Sequence, residues 1–370
     1  MKDVRSFLII FWIASPLLFS QPNPNFNVSL QVDFASAEQM IALCEGKVYN
    51  VDNVAQLRGN QIAAATSMLL ARTEMSSQAF PKELENLRDN VRSSDDIFGL
   101  DDTKAYLPKI KALLEEAEKH DVNRRVVATI EQFFPNDLAV SATVPVYFVA
   151  MGNENAAAFV RRIVWHGNVP EFVGEGEGEL SIVVNLTRSV EYIQEIQMQY
   201  VEMLSTLAHE TFHAVFGVYQ NSSLVWRDFG QRPEPYWALA EVVQNEGIAY
   251  LISTQQQRGG NLSPDMLADA ERAVNTLNKV FAELASPQTS RARANDLILN
   301  SNLSGSFEKN YGATAGLLMA YSIDAKLGRK ALTETIVNGV PDFFRKYDEV
   351  TAQFGELPKL SDEVLKIMAR

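Results

Sequence analysis

Cysteine is nearly absent: the 370 residues contain one, Cys44. A single thiol cannot close an internal disulfide, so stability has to come from packing or from a bound metal. Cys44 lies in AEQMIALCEGK, a stretch with helical apolar spacing, which suits a buried structural thiol better than a nucleophile. Histidine is scarce too, with four in the chain. Basic charge is in deficit: 33 Lys and Arg against 46 Asp and Glu leave a formal net charge of −13. That balance argues against nucleic acid or anionic lipid as the main partner. Past the N-terminus no apolar run is long enough to span a bilayer.

The N-terminus has the layout of an export signal. Lys2 and Arg5 precede an almost wholly apolar stretch from Phe7 to Phe19, followed by Ser20 and the polar QPNPNFN. Such a stretch is short for a membrane span, and Pro16 interrupts it. Residues 1–20 are therefore expected to be a cleaved signal peptide, and the mature chain to act outside the cytoplasm, in a periplasm or beyond.

Local patterns divide the rest. Residues 35–140 carry apolar side chains at three- and four-residue spacing, as in NQIAAATSMLLART and TKAYLPKIKALLEEAEKH, and predict helices. VPVYFVAM, before Gly152-Asn153, and LSIVVNLT (Leu180 to Thr187) predict two strands. The acidic glycine run VGEGEGEL between them reads as a surface turn rather than a calcium loop. A long helix is expected from Val190 to near Gly217, a loop over Asn221 to Tyr236, and a second helix over WALAEVVQNEGIAYLISTQQQR, stopped by Gly259-Gly260. The fold class is α+β and mostly helical, with a small β-sheet beside a pair of helices. The domain reading is a helical N-terminal region over 21–140 and a functional region over 141–370, or one continuous domain over 30–370.

The chemistry concentrates at His209-Glu210-Thr211-Phe212-His213. Four residues make slightly more than one helical turn, so the two imidazoles project from one face, one turn apart, as a shared zinc ion requires. Glu210 lies about 100° round the helix. It is poorly placed as a ligand but well placed as a base for a water that zinc has made acidic. The alternative is a buried helix with two satisfied histidines and a solvated Glu. The apolar flanks MLSTLA and AVFGVY weigh against it, because burying three ionisable groups side by side costs free energy unless they are paired or metal-bound.

A catalytic zinc takes three protein ligands and leaves one position open. No histidine follows His213. The downstream carboxylates before the second helix ends are Asp228, Glu234, Glu241 and Glu246. Asp228 and Glu234 fall in the expected loop. Val242, Val243, Ala249 and Tyr250 flank Glu246 on the helix, so it points into protein, while Glu241 faces about 140° away. Glu246 is the preferred third ligand and Glu241 the alternative. Gly247 and Ala249 would let this helix approach another closely.

The HExxH pattern, followed by Glu246 within Asn245-Glu246-Gly247-Ile248-Ala249, resembles the gluzincin metallopeptidases. The N-E-G-x-A run is similar to the third-ligand helix of that clan's aminopeptidases. Those enzymes place the Glu closer to the second His, where Arg232 or Pro233 stands here. The chain resembles more closely the zinc-dependent peptidases among exported bacterial proteins. The resemblance implies a zincin-like fold, Zn2+ held by His209, His213 and Glu246, Glu210 as catalytic base, and a peptide or protein substrate. It also implies a strand edge above the metal that receives substrate as an extra strand; Ser181 to Thr187 is the candidate, with an ordinary interior strand as the alternative. The oxyanion needs a donor. Tyr311, opening a helix rich in small residues, is the first candidate, with Tyr321, Tyr250 and His166 as rivals. Two other functions fit the composition: an exported non-enzymatic binding protein with a four-ligand structural metal, and hydrolysis of a non-peptide amide.

Overall fold

The computed structural model describes residues 23–73, 79–91, 95–154, 156–174, 176–191, 193–303 and 309–370. The expected signal peptide, residues 1–20, lies outside them. The described chain opens with a strand, β1 (Phe26–Asp33). Seven helices follow: α1 (Ala35–Cys44), α2 (Val51–Ala55), α3 (Arg58–Leu70), α4 (Ala79–Arg88), α5 (Leu100–Ala105), α6 (Leu107–Lys119) and α7 (Val122–Glu131). Four strands come next, β2 (Val140–Val149), β3 (Ala158–His166), β4 (Val169–Phe172) and β5 (Glu179–Asn185). The remainder is helical: α8 (Leu186–Ser189), α9 (Ile196–Ser222), α10 (Leu224–Gly230), α11 (Pro235–Arg258), α12 (Pro264–Ala285), α13 (Arg291–Leu299), α14 (Tyr311–Leu327), α15 (Arg329–Asn338), α16 (Val340–Phe354) and α17 (Asp362–Met368). The molecule is α+β and mostly helical, as its patterning predicts.

One mixed sheet runs in the order β1-β2-β5-β3-β4. β1, β2 and β5 are parallel, and β3 is antiparallel to both β5 and β4. The centre of the sheet is apolar and buried through Val146, Phe148, Ile182, Val183 and Val184, as a parallel sheet covered by helices requires. The segment Ser181 to Thr187 is therefore not the edge strand envisaged above. Its strand, β5, is interior, paired on both sides, because two further strands add beyond it.

Those extra strands and β1 carry weaker sequence signals. β1 alternates Val28, Leu30 and Val32 with Asn27, Ser29 and Gln31, a half-buried pattern next to a polar segment. β3 carries Arg161 and Arg162 in its middle, which dilute its apolar character. A turn at Gly167, where φ is +67°, reverses the chain into β4. The pairing of β1 with β2 ties the N-terminal strand to residues beyond the seven helices, and buried apolar side chains from Phe26 to Met368 form one continuous cluster.

Two expectations about the long helices need correction. α9 starts at Ile196 rather than Val190 and runs through Gly217 to Ser222. An interior glycine costs only about 1 kcal/mol, which the burial of Phe216 and Tyr219 on either side outweighs. The expected loop over Asn221 to Tyr236 contains α10, whose Trp226 and Phe229 are buried. Trp226 meets Phe216 edge-on at 5.0 Å and donates its indole N–H to the Ile336 carbonyl at 2.7 Å. α11 ends where expected, with Gly259 in a left-handed cap at φ +63°.

Candidate metal centre

α9 packs against β2, β3 and β5 and carries the HExxH residues towards α11. The position of α11 depends on glycine. A Cβ on Gly247 would run into the backbone of Gly316 on α14, and one on Gly316 would run into the Val243 carbonyl. The two helices cross where neither has a side chain, which seats α11 firmly beside the α9 imidazoles.

At this crossing His209, His213 and Glu246 converge, with one ligand atom from each lying within 4.8 Å of the others. Glu246 Oε2 is 3.4 Å from His209 Nε2, and Oε1 is 3.4 Å from His213 Nε2. The two Nε2 atoms are 2.9 Å apart. His213 donates its Nδ1–H to Asn245 Oδ1 at 3.0 Å, which leaves Nε2 with a lone pair aimed at the centre. The other wall is the ring of Tyr250, edge-on to His209 at 4.8 Å. Asn302, just after α13, donates to Glu246 Oε1 at 2.6 Å and fixes the carboxylate. The three converging side chains retain 12–17% exposure, so the group is largely enclosed by protein without being sealed from solvent.

The electrostatics suit a cation. Burial alone would push Glu246 up, but the charges of His213 and His209 and their hydrogen bonds outweigh it and hold the carboxyl well below its usual range. Burial disfavours a charged His213, yet Glu246 and Glu210 lift it to about 9. Two carboxylates facing two imidazoles demand positive charge between them, as a proton or as a metal ion. Nitrogen and carboxylate oxygen from three side chains are a donor set that fits zinc. Burial raises the Glu210 carboxyl, and the charge of Glu246 adds to this, against His209, His213 and Arg161.

The other sequence candidates lie elsewhere. Glu241 accepts a hydrogen bond from Gln220 at 2.9 Å, and Asp228 and Glu234 are exposed. Tyr311 is 3% exposed and gives its hydroxyl to the Leu297 carbonyl at 2.7 Å. That bond and its burial commit Tyr311 to packing rather than to a reacting oxyanion. His166 stands exposed at the end of β3, paired with Glu171 at 2.6 Å. Tyr321 packs against the core. Of the four oxyanion candidates, Tyr250 is the one whose ring borders the histidines. Sequence reasoning passed over the roles of Asn245, Asn302 and Arg161. Asn245 was findable as the neighbour of the candidate ligand Glu246, whereas nothing local marks the other two.

The long interval between His213 and Glu246 now has a structural account. α10 is inserted between α9 and α11 and anchored by its own aromatics, so the helices still meet. No curated protein and no solved structure matches the chain. A family model described as "Putative zinc dependent peptidase (DUF5700)" matches residues 51–354, which include the whole metal group and most of the chain. On that match, which spans well over half of the sequence, the chain belongs to this family.

Proposed function

We propose that the protein is a gluzincin-type zinc metallopeptidase that hydrolyses peptide bonds outside the cytoplasm, with Glu210 as general base. The observation that carries this reading is the convergence of His209, His213 and Glu246, with Glu210 close enough to feel their charges. Zinc, when bound, would supply Lewis acidity to a water and to the scissile carbonyl. The chain's own residues do the rest. Glu210, in a partly desolvated position, takes a proton from the attacking water and passes it to the leaving amine. Asn245 orients His213 through Nδ1, and Asn302 orients Glu246. Tyr250, against His209, is the donor we assign to the oxyanion. Export rests on the basic, apolar and small-residue layout of residues 1–20.

The test is Glu210→Gln, compared with wild type for zinc content and for cleavage of a mixed peptide pool read by mass spectrometry. The variant is expected to keep stoichiometric zinc and to lose about 10²–10⁴ of the hydrolysis rate. Undiminished cleavage by the variant, or a wild type that binds no zinc, would remove the reading.

A further inference from the structure

The antiparallel ladder between β3 and β4 covers only Ile163 to His166, and closes with the Val173 N–H bonded to the Arg162 carbonyl at 3.0 Å. The first half of β3, Ala158 to Arg161, has β5 on one side and, among the described residues, no strand on the other. Backbone groups alternate sides along a strand. The Ala157 carbonyl bonds to Asn185 N–H on the β5 side and the Arg162 carbonyl bonds on the β4 side, so Val160 presents its carbonyl to the open edge. The Arg161 guanidinium curls onto this edge. Its Nη1 donates to the Val160 carbonyl at 3.0 Å and its Nη2 to Glu154 at 3.1 Å. The group lies 4.5 Å over the Phe159 ring and 5.8 Å over the Phe172 ring, and its Nε is buried with no hydrogen-bond partner. Arg161 is the one Lys or Arg among the charges that act on Glu210.

An extended peptide that adds to this short edge and runs towards β4 meets a stop. The guanidinium covers Val160, and β4 occupies the ladder from Arg162 onwards. A chain arriving there has to end, and the end that a desolvated cation accepts is anionic. An amino terminus would be repelled. Nε is out of reach, but the side chain keeps 25% exposure and each terminal nitrogen has a second N–H, and a planar donor of this kind on an aromatic shelf suits a carboxylate.

We propose that Arg161 is a specificity residue that receives the free C-terminal carboxylate of a peptide lying along the open edge of β3, so that the enzyme trims chains from their carboxyl end. This rests on the peptidase reading and narrows its substrate class to peptides with a free C-terminus. It is a binding role, separate from the metal ligands and from the base.

The experiment uses the full zinc-loaded chain carrying Glu210→Gln, so that peptides stay intact during calorimetric titration. The probes are a neutral Ala/Leu hexapeptide with a free C-terminus, the same peptide amidated, and the amidated peptide with one internal Glu. The free acid is expected to bind at least about tenfold tighter than the amide, as loss of a charge-assisted pair implies. Adding Arg161→Met should erase that difference, and Arg161→Lys should keep part of it. Equal binding of acid and amide to the Arg161-containing protein overturns the proposal, and this comparison stands even if the Met variant fails to fold. Preference for the internal-Glu amide over the acid overturns it as well, since the carboxylate would then be a side chain's. Peptide cleavage by wild type with no acid preference in binding removes this inference and leaves the peptidase reading standing. Acid-selective binding without cleavage by wild type removes the peptidase reading and the trimming that rests on it, and leaves Arg161 only as a carboxylate-binding residue.

Discussion

Asn302 holds the carboxylate of a residue 56 positions away, and the candidate ligand Glu246 takes its orientation from that bond. Removing a partner that orients a metal ligand typically costs 10–100-fold in affinity. Asn302→Ala is therefore expected to weaken zinc binding by about that factor, measured by competition with a calibrated chelator. The metal-free variant should unfold close to wild type, because Asn302 is only partly buried. Unchanged zinc affinity would show that Glu246 is positioned by its helix alone. At this scale the HExxH residues were legible because their geometry is local: a four-residue spacing sets two side chains on one face whatever surrounds the helix. Glu246 was reachable by elimination, since carboxylates in an apolar helical environment are rare. Arg161 was not, because its meaning depends on where β4 stops. Tyr311 was chosen for opening a small-residue helix, and the structure spends its hydroxyl on Leu297.

The crossing of α11 and α14 decides where the third ligand lies. Gly247 and Gly316 face each other there, and a methyl group on Gly316 would overlap the Val243 carbonyl. Backbone cannot rotate away as a side chain can, so Gly316→Ala forces the helices apart. The expected cost is about 1–3 kcal/mol or more, read as a lower denaturant midpoint. Zinc affinity should fall in the same variant, because Glu246 precedes Gly247 and moves with it. A variant as stable as wild type would mean that the helices have room to spare. The strong helices were legible from periodicity, and the glycines hinted at a close approach without naming the partner. Of the elements that were missed, β4 and α10 are short, β3 carries charges mid-run and β1 alternates apolar with polar residues, and all four exist because of what they pack on. α10 is helical because Trp226 and Phe229 bury against Phe216 and Trp237.

Across the whole molecule the metal would act as a cross-link. His209 and His213 come from one helix, Glu246 from another, and Asn302 from a third region of the chain, so an ion bound to the folded state favours all three staying together. Binding to the native state alone stabilises by about 4 kcal/mol when free zinc is a thousandfold above its dissociation constant. Chelation is expected to lower Tm by several degrees, with recovery on adding zinc back, and Glu246→Gln should blunt the response. Identical melting with and without saturating zinc would count against a native-state site.

The amino-acid order by itself determined the helical character, the histidine pair on one helix face, the carboxyl beside it and the helix that carries Glu246. These follow from periodicity and spacing within single elements, where backbone geometry converts sequence separation into direction. Tertiary structure alone decided that β5 is interior, that the open edge belongs to the first half of β3, that Arg161 closes it, and that Asn302 steadies Glu246. Each of these depends on which distant segments pair or pack. That is set by the burial of one core drawn from the whole chain, and no local pattern encodes it.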